Sequence, residues 1–256
     1  MRSIRRWRLA VSGSLVVALG MAGCSAEGTD GARRELRVSA AASLTDAFAE
    51  LEAAFEAANS DVDVVLNLGG SSLLREQILG GAPADVFASA DASNMSQVAA
   101  AGRISAEPKI FVRNRLQIAV PPGNPADVGR LADFDRDELL IGLCAEPVPC
   151  GDLGRRALAK AGVTASIDTN EPNVRALLTK IGAGELDAGI VYLTDVAATD
   201  GGVDGIFIPG NHNVVAEYPI AVLADAVHPE EAAAFVAFVL SDAGRLILQR
   251  HGFSVP

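Results

Sequence analysis

Residues Leu66–Asp91, LNLGGSSLLREQILGGAPADVFASAD, decide the fold. They read as a strand end, a Gly69-Gly70 turn, the hydroxyl pair Ser71-Ser72, a helix, a second turn and a strand. Leu73, Leu74, Gln77 and Ile78 carry the helix. Glycine lets a backbone bend tightly or come close to a guest. A serine at a helix entrance has two readings. It is a preferred N-cap. It is also a hydroxyl donor where the first N–H groups of the helix are unpartnered and the dipole favours an anion. From this stretch alone, capping is the more economical reading. The balance shifts because the chain makes similar turns several more times.

Upstream, Leu36–Ala40 reads as a strand that runs into Ala41-Ala42-Ser43-Leu44-Thr45-Asp46. Leu44, Ala47, Phe48, Leu51, Phe55 and Ala58 then recur at helical spacing. Ser43-x-x-Asp46 has the form of a capping box, so capping alone would explain Ser43 at this junction of strand and helix, and binding is compatible with capping. Val62–Leu68 and Asp85–Ser89 read as strands, and Asp91–Gly102 as a helix. This βαβα order predicts a parallel sheet with helices on its faces. Ligands of such sheets sit beyond the carboxyl ends of the strands, where Ser43 and Ser71 fall.

Downstream, Leu116–Val120 runs into Pro121-Pro122-Gly123 and reads as a crossing into a second unit. Leu139–Cys144 is a strand, and Asp152–Ala161 a helix closed by Gly162, with Cys150 at its entrance. Asn173 is a predicted N-cap, and Val174, Leu177, Leu178 and Ile181 form the inner face of the next helix. The Val174 amide is one of that helix's free donors, although packing is the ordinary explanation of the side chain. Ala188–Tyr192 reads as a buried strand ending in a phenol, followed by a helix start at Thr194-Asp195. Gly205–Pro209 is a strand, Ala216–Leu223 a return crossing, and Pro229–Leu240 and Asp242–Arg250 closing helices.

The chain has 256 residues, enough for one or two domains, and half of them are hydrophobic, enough for a sizeable core. Lys and Arg number 21 against 32 Asp and Glu, a net charge of −11. That balance argues against nucleic acid, which calls for a basic face. It also means that any anion site must work by local donors. Arg2, Arg5, Arg6 and Arg8 precede an apolar run, Leu9–Ala22, too short to span a membrane comfortably. Met21-Ala22-Gly23-Cys24 resembles a bacterial lipoprotein cleavage box with Met for the usual Leu. The resemblance implies that residues 1–23 are a removed signal peptide and that Cys24 carries a lipid anchoring the protein outside the cytoplasm. A plain secretory signal is the alternative. Residues 24–35 then form a flexible tether. With Cys24 acylated, Cys144 and Cys150 remain as one pair, expected to be oxidised in that compartment. Its short loop favours a stiff local turn over global stabilisation. A metal pair would lack further His or Cys ligands nearby.

A serine hydrolase would need a base near Ser43 or Ser71. The three histidines, His212, His228 and His251, fall in a Gly-Asn loop, at a helix start and at the end of the last helix. No G-x-S-x-G elbow is present. Asp46 and Glu50 read as favourable charges near a helix N-terminus, and Asp85 and Asp91 receive no chemistry. Neither catalysis nor a metal held by side chains is expected.

Taken together, Ala41-Ala42-Ser43-Leu44-Thr45, Ser71-Ser72-x-Leu74, Gly81–Phe87, Val148-Pro149-x-Gly151, Asn173-Val174-Arg175, Gly189–Tyr192, Glu217-Tyr218-Pro219 and Gly252-Phe253 resemble the molybdate-binding proteins of ABC transporters. The resemblance covers about residues 36–256. It implies an α/β, type II periplasmic binding-protein fold: two α/β lobes, a hinge and an interlobe cleft. Lobe one would comprise residues 36–113 and 219–256, and lobe two residues 114–218. The implied oxyanion ligands are the Ser43, Ser71 and Tyr192 hydroxyls and the backbone N–H groups of Cys150 and Val174, without a cationic side chain. Cys150 stands where the family often has Ala, a change that spares the amide. The implied ligand is molybdate, with tungstate left open by its similar size and sulfate as the alternative. No cofactor is implied. The implied partner is a membrane permease driven by a cytoplasmic ATPase, and the protein is expected to be a monomer. An iron-binding protein of the same fold would need a tyrosine pair. The distance in sequence between Tyr192 and Tyr218 argues against one.

Overall fold

Alternating apolar residues in Leu36–Ala40 and Val62–Val64, and the continuous apolar run at Ala188–Tyr192, are the patterns of strands buried on one or both faces. In the computed structural model, which describes residues 33–256, these become strands β1 (Arg34–Ala41), β2 (Val62–Gly69) and β7 (Ala188–Tyr192). The expected signal peptide, the lipidation at Cys24 and most of the expected tether lie outside the described residues. Arg34 and Glu35, placed in the tether by the sequence, are strand, because they pair with Val62 and Asp63 on β2.

The remaining strands are β3 (Val86–Ala88), β4 (Lys109–Val120), β5 (Ile141–Cys144), β6 (Thr169–Glu171), β8 (Asp204–Phe207) and β9 (Val215–Val222). The helices are α1 (Thr45–Ala58), α2 (Ser71–Leu79), α3 (Ala92–Ala100), α4 (Pro149–Ala161), α5 (Val174–Gly182), α6 (Leu193–Ala197), α7 (Pro229–Leu240) and α8 (Asp242–Arg250). The strands hydrogen-bond in the order β2-β1-β3-β9-β4-β7-β5-β6, with β8 also on β4.

The expected parallel sheet is a mixed one. β1 pairs in parallel with β2 and β3, and β5 with β6 and β7. The two crossing strands break the rule, since β9 is antiparallel to β3 and β4 is antiparallel to β7, β8 and β9. β4 is longer than its apolar end predicted. Lys109–Arg115 pairs with β9, and Leu116–Val120 with β7 and β8. One strand thus belongs to both halves of the sheet. β6, with the sequence TNE, carries no apolar signal and was not legible.

Helices cover the sheet through buried faces, and a line of edge-to-face aromatic rings crosses the core. Phe235 on α7 meets Phe55 at 5.2 Å and Phe48 at 6.2 Å, and Phe48 meets Phe111 at 6.0 Å. Phe111 meets Tyr218 at 6.4 Å, which meets Tyr192 at 5.9 Å and Phe253 at 5.7 Å. Such pairs add to the burial of the rings themselves. Phe235 is fully buried and joins α7 to α1. Phe235→Ala should therefore lower stability by about 3–5 kcal/mol, read as a shift in the denaturant midpoint.

Candidate functional site

Strand ends and helix starts meet at one small cavity. Ala41, Ala42 and Ser43 follow β1, and Gly69, Gly70 and Ser71 join β2 to α2. Val148, Pro149 and Cys150 open α4, Asn173 and Val174 open α5, and Tyr192 ends β7. Ala90 completes the wall. All five residues singled out from the sequence, Ser43, Ser71, Cys150, Val174 and Tyr192, face this space. It is a small space, about 200 Å³ between atoms with its open mouth included. No Lys, Arg, His, Asp or Glu lines it.

The local chemistry differs from simple helix capping. Ser43 lies within a short 3-10 turn, Ala42–Leu44, and caps nothing; its Oγ is 2.9 Å from the Tyr218 hydroxyl. The capping-box expectation is therefore corrected: the extra turn moves the start of α1 to Thr45 and frees the hydroxyl. Ser71 is the first residue of α2, after Gly70 as N-cap, and its Oγ accepts the Ala90 N–H at 3.0 Å. With that acceptor position filled, the Ser71 proton is free to point into the cavity. The same holds for Ser43 when Tyr218 donates to it. Asn173 caps α5 as predicted, accepting the Ala176 N–H at 2.9 Å. That leaves Val174 at the first helical position, where an amide has no partner within the helix. Cys150 occupies the second position of α4, behind Pro149. The helix starts three residues earlier than its polar periodicity indicated, because proline is well suited to a first turn.

Cys144 and Cys150 are joined by a disulfide. Gly151 makes the fold-back possible: a Cβ there would stand 2.0 Å from the Ala145 carbonyl oxygen. Arg155 donates to the carbonyls of Cys144 at 2.8 Å and Gly151 at 3.1 Å, and so fixes the turn from outside.

Tyr192 is fully buried, and among the described residues its hydroxyl has no hydrogen-bond partner. Burial pushes its pKa well above that of a free phenol, with Tyr218 and Asp195 adding to the effect. Tyr218 is likewise raised by burial. Both phenols therefore stay protonated donors. The two tyrosines are neighbours in space, so their distance in sequence was no ground against an iron site. The physical ground is that no carboxylate or imidazole lines the cavity beside Tyr192 to complete a ligand set, and Tyr218 is engaged by Ser43. Tyr218 is also the functional residue that the sequence left without a role. Its only signal was its place in the Glu217-Tyr218-Pro219 triplet.

Of the histidines, none lines the cavity. His251 lies in a neighbouring cleft of about 490 Å³ that also touches Ser43, but its Nε2 is 2.9 Å from Glu50 Oε2. Arg250 pairs with the same Glu50. Asp85 is structural, accepting the Arg37 and Val227 N–H groups at 2.7 and 2.6 Å, and Asp91 caps α3.

A family model described as "Bacterial extracellular solute-binding protein" matches residues 36–254. The chain belongs to that family. Among relatives of this solute-binding protein, the molybdate-binding protein ModA of Mycobacterium tuberculosis is 38% identical, over 98% of this chain and 100% of its own. The periplasmic molybdate-binding protein of Azotobacter vinelandii superposes with a TM-score of 0.77 at 19% identity, over 86% of this chain and 99% of its own. The sulfate-binding protein SubI of Mycobacterium tuberculosis superposes at 0.78 with 18% identity, over 86% of each chain. The fold is that of the periplasmic binding proteins. The family is one of extracytoplasmic binding proteins, not enzymes.

Behind the cavity, Asp195 on α6 accepts the Tyr192 N–H at 3.1 Å, and its other oxygen lies 3.9 Å from Arg175 Nε. Arg175 also pairs with Asp46 on α1. Burial raises the Asp195 pKa from 3.8 to about 7, opposed by Arg175 and the Tyr192 N–H and assisted by Asp46. The folded protein then holds this proton over a window in which the unfolded chain has released it. The contribution of Asp195 to stability falls as pH rises from about 4 to about 7, and is flat outside that window. Asp195→Asn keeps an acceptor for the Tyr192 N–H and removes the titration. Its stability relative to the unsubstituted protein should rise from pH 4 to pH 7 and then level, as measured by denaturation at several pH values.

Proposed function

We propose that this solute-binding protein captures molybdate, with tungstate as a close second, and delivers it to an ABC-transporter permease. The observation that carries the reading is the convergence of neutral donors from five separate turns on one small, uncharged cavity. The 38% identity to a molybdate-binding protein over nearly the whole chain supports it. Ser43, Ser71 and Tyr192 would give hydroxyl protons, and Cys150 and Val174 their backbone N–H groups. A tetrahedral dianion has four oxygens to accept them. A hydrogen bond to a charged group contributes roughly 1.5–3 kcal/mol, so five make a strong site without a cation. Hydrogen phosphate carries a proton that needs an acceptor, and such a wall offers it donors.

In this reading residues 36–113 and 219–256 form one lobe and residues 114–218 the other, hinged on β4 and β9. Ser43 and Ser71 lie on the first lobe; Cys150, Val174 and Tyr192 lie on the second. An anion held by both has greater affinity for the closed form and shifts the population toward it. The protein acts as a monomer, without a cofactor, tethered to the outer face of the cell membrane by a lipid on Cys24. Neutral donors also let the ion leave when the permease opens the cleft.

Calorimetric titration with molybdate, tungstate, sulfate and phosphate tests the assignment. Molybdate and tungstate should bind tightly, sulfate weakly and phosphate not at all. Ser71→Ala combined with Tyr192→Phe removes two charged hydrogen bonds and should weaken molybdate binding roughly 100- to 10,000-fold. Unchanged binding in the double variant would place the site elsewhere. Tightest binding of sulfate would transfer the protein to the sulfate class.

A further inference from the structure

Gly70 is the N-cap of α2, with φ −62° and ψ 134°. Any L-residue adopts this extended conformation, so the backbone itself gives no reason for glycine. The reason lies across the cavity. A Cβ on Gly70 would stand 2.5 Å from the carbonyl oxygen of Pro172, 3.5 Å from Val148 Cγ1 and 3.7 Å from Asn173 Cβ. Those three residues belong to the turns that present Cys150 and Val174. Gly70 belongs to the turn that presents Ser71. Two backbones therefore meet at the cavity wall, and only a missing side chain allows it.

We propose that Gly70 is a positioning residue of the closed cleft: its bare backbone lets the Ser71 turn and the Val174 turn approach until their donors reach one small anion. The inference rests on the two-lobe oxyanion reading above. A carbon ordinarily comes no closer than about 3.3 Å to a carbonyl oxygen. An alanine at position 70 would therefore hold the turns apart by roughly 0.8 Å. The one contact that is too close, the Pro172 carbonyl oxygen, is backbone and cannot rotate away as a side chain would, so the backbones themselves must separate. A hydrogen bond of about 2.9 Å lengthened by that amount is lost. Gly69 supplies the contrast within the same turn. A Cβ there meets nothing nearer than Leu74 Cδ2 at 3.5 Å, an ordinary contact on its own side.

The test compares Gly70→Ala with Gly210→Ala, each in the full chain held in mild detergent; Gly210 lies outside the cavity wall, and a Cβ there meets nothing within 4 Å. Gly70→Ala should still unfold in one cooperative thermal transition yet bind molybdate at least 100-fold more weakly. Gly210→Ala should bind within threefold of the unsubstituted protein. Hydrogen exchange supplies a readout independent of the ligand: amides of residues 173–175, a hundred residues away in sequence, should exchange faster in Gly70→Ala alone. Equal affinities in the two variants would overturn the inference. So would unchanged exchange at residues 173–175 in Gly70→Ala. If the unsubstituted protein binds none of the four oxyanions, the functional reading falls. Exchange then decides the role of Gly70: faster exchange at 173–175 upholds it, and exchange equal to that of Gly210→Ala overturns it.

Discussion

A buried phenol with an unspent proton organises the centre of this molecule. The Tyr192 hydroxyl is closed off from solvent and has no partner among the described residues. An unsatisfied buried polar group costs roughly 1–3 kcal/mol. The surrounding fold tolerates it because the ring is fixed against Tyr218, which is itself anchored to Phe111 and Phe253. The aromatic line that stabilises the core thus ends at the cavity, so core packing aims the donor.

The serines follow the same logic by another route. Ser71 accepts from the Ala90 amide, and Ser43 pairs with Tyr218, so each has an internal contact that directs the hydroxyl. The amide donors are supplied by helix starts, two of them helped by proline at α4 and by the Asn173 cap at α5. The disulfide, Gly151 and Arg155 hold the α4 entrance from behind. In a chain with a net charge of −11, the proposed reading has such donors serve an anion without the long-range field of a cation. Outside the cavity wall, Arg175 pairs with Asp46 and so joins α5 to α1, while Asp195 on α6 accepts the Tyr192 N–H.

The sequence by itself determined the order of most strands and helices. The apolar spacings of α1, α7 and α8 and the run at β7 are local patterns with one physical reading, burial of a face. It also placed Ser43, Ser71, Cys150, Val174 and Tyr192 at strand ends or helix starts, because cap residues, proline and glycine mark such junctions. Tertiary structure alone decided the rest. It made the sheet mixed, since the direction of β4 and β9 depends on which strands they meet after crossing. It turned Ser43 from a cap into a partner of Tyr218, and it brought Tyr192 beside Tyr218 despite the residues between them. It also gave Gly70 a reason for its missing side chain in the Pro172 carbonyl opposite. Each of these depends on contacts between segments far apart in the chain, and periodicity along a chain carries no record of the distance across it.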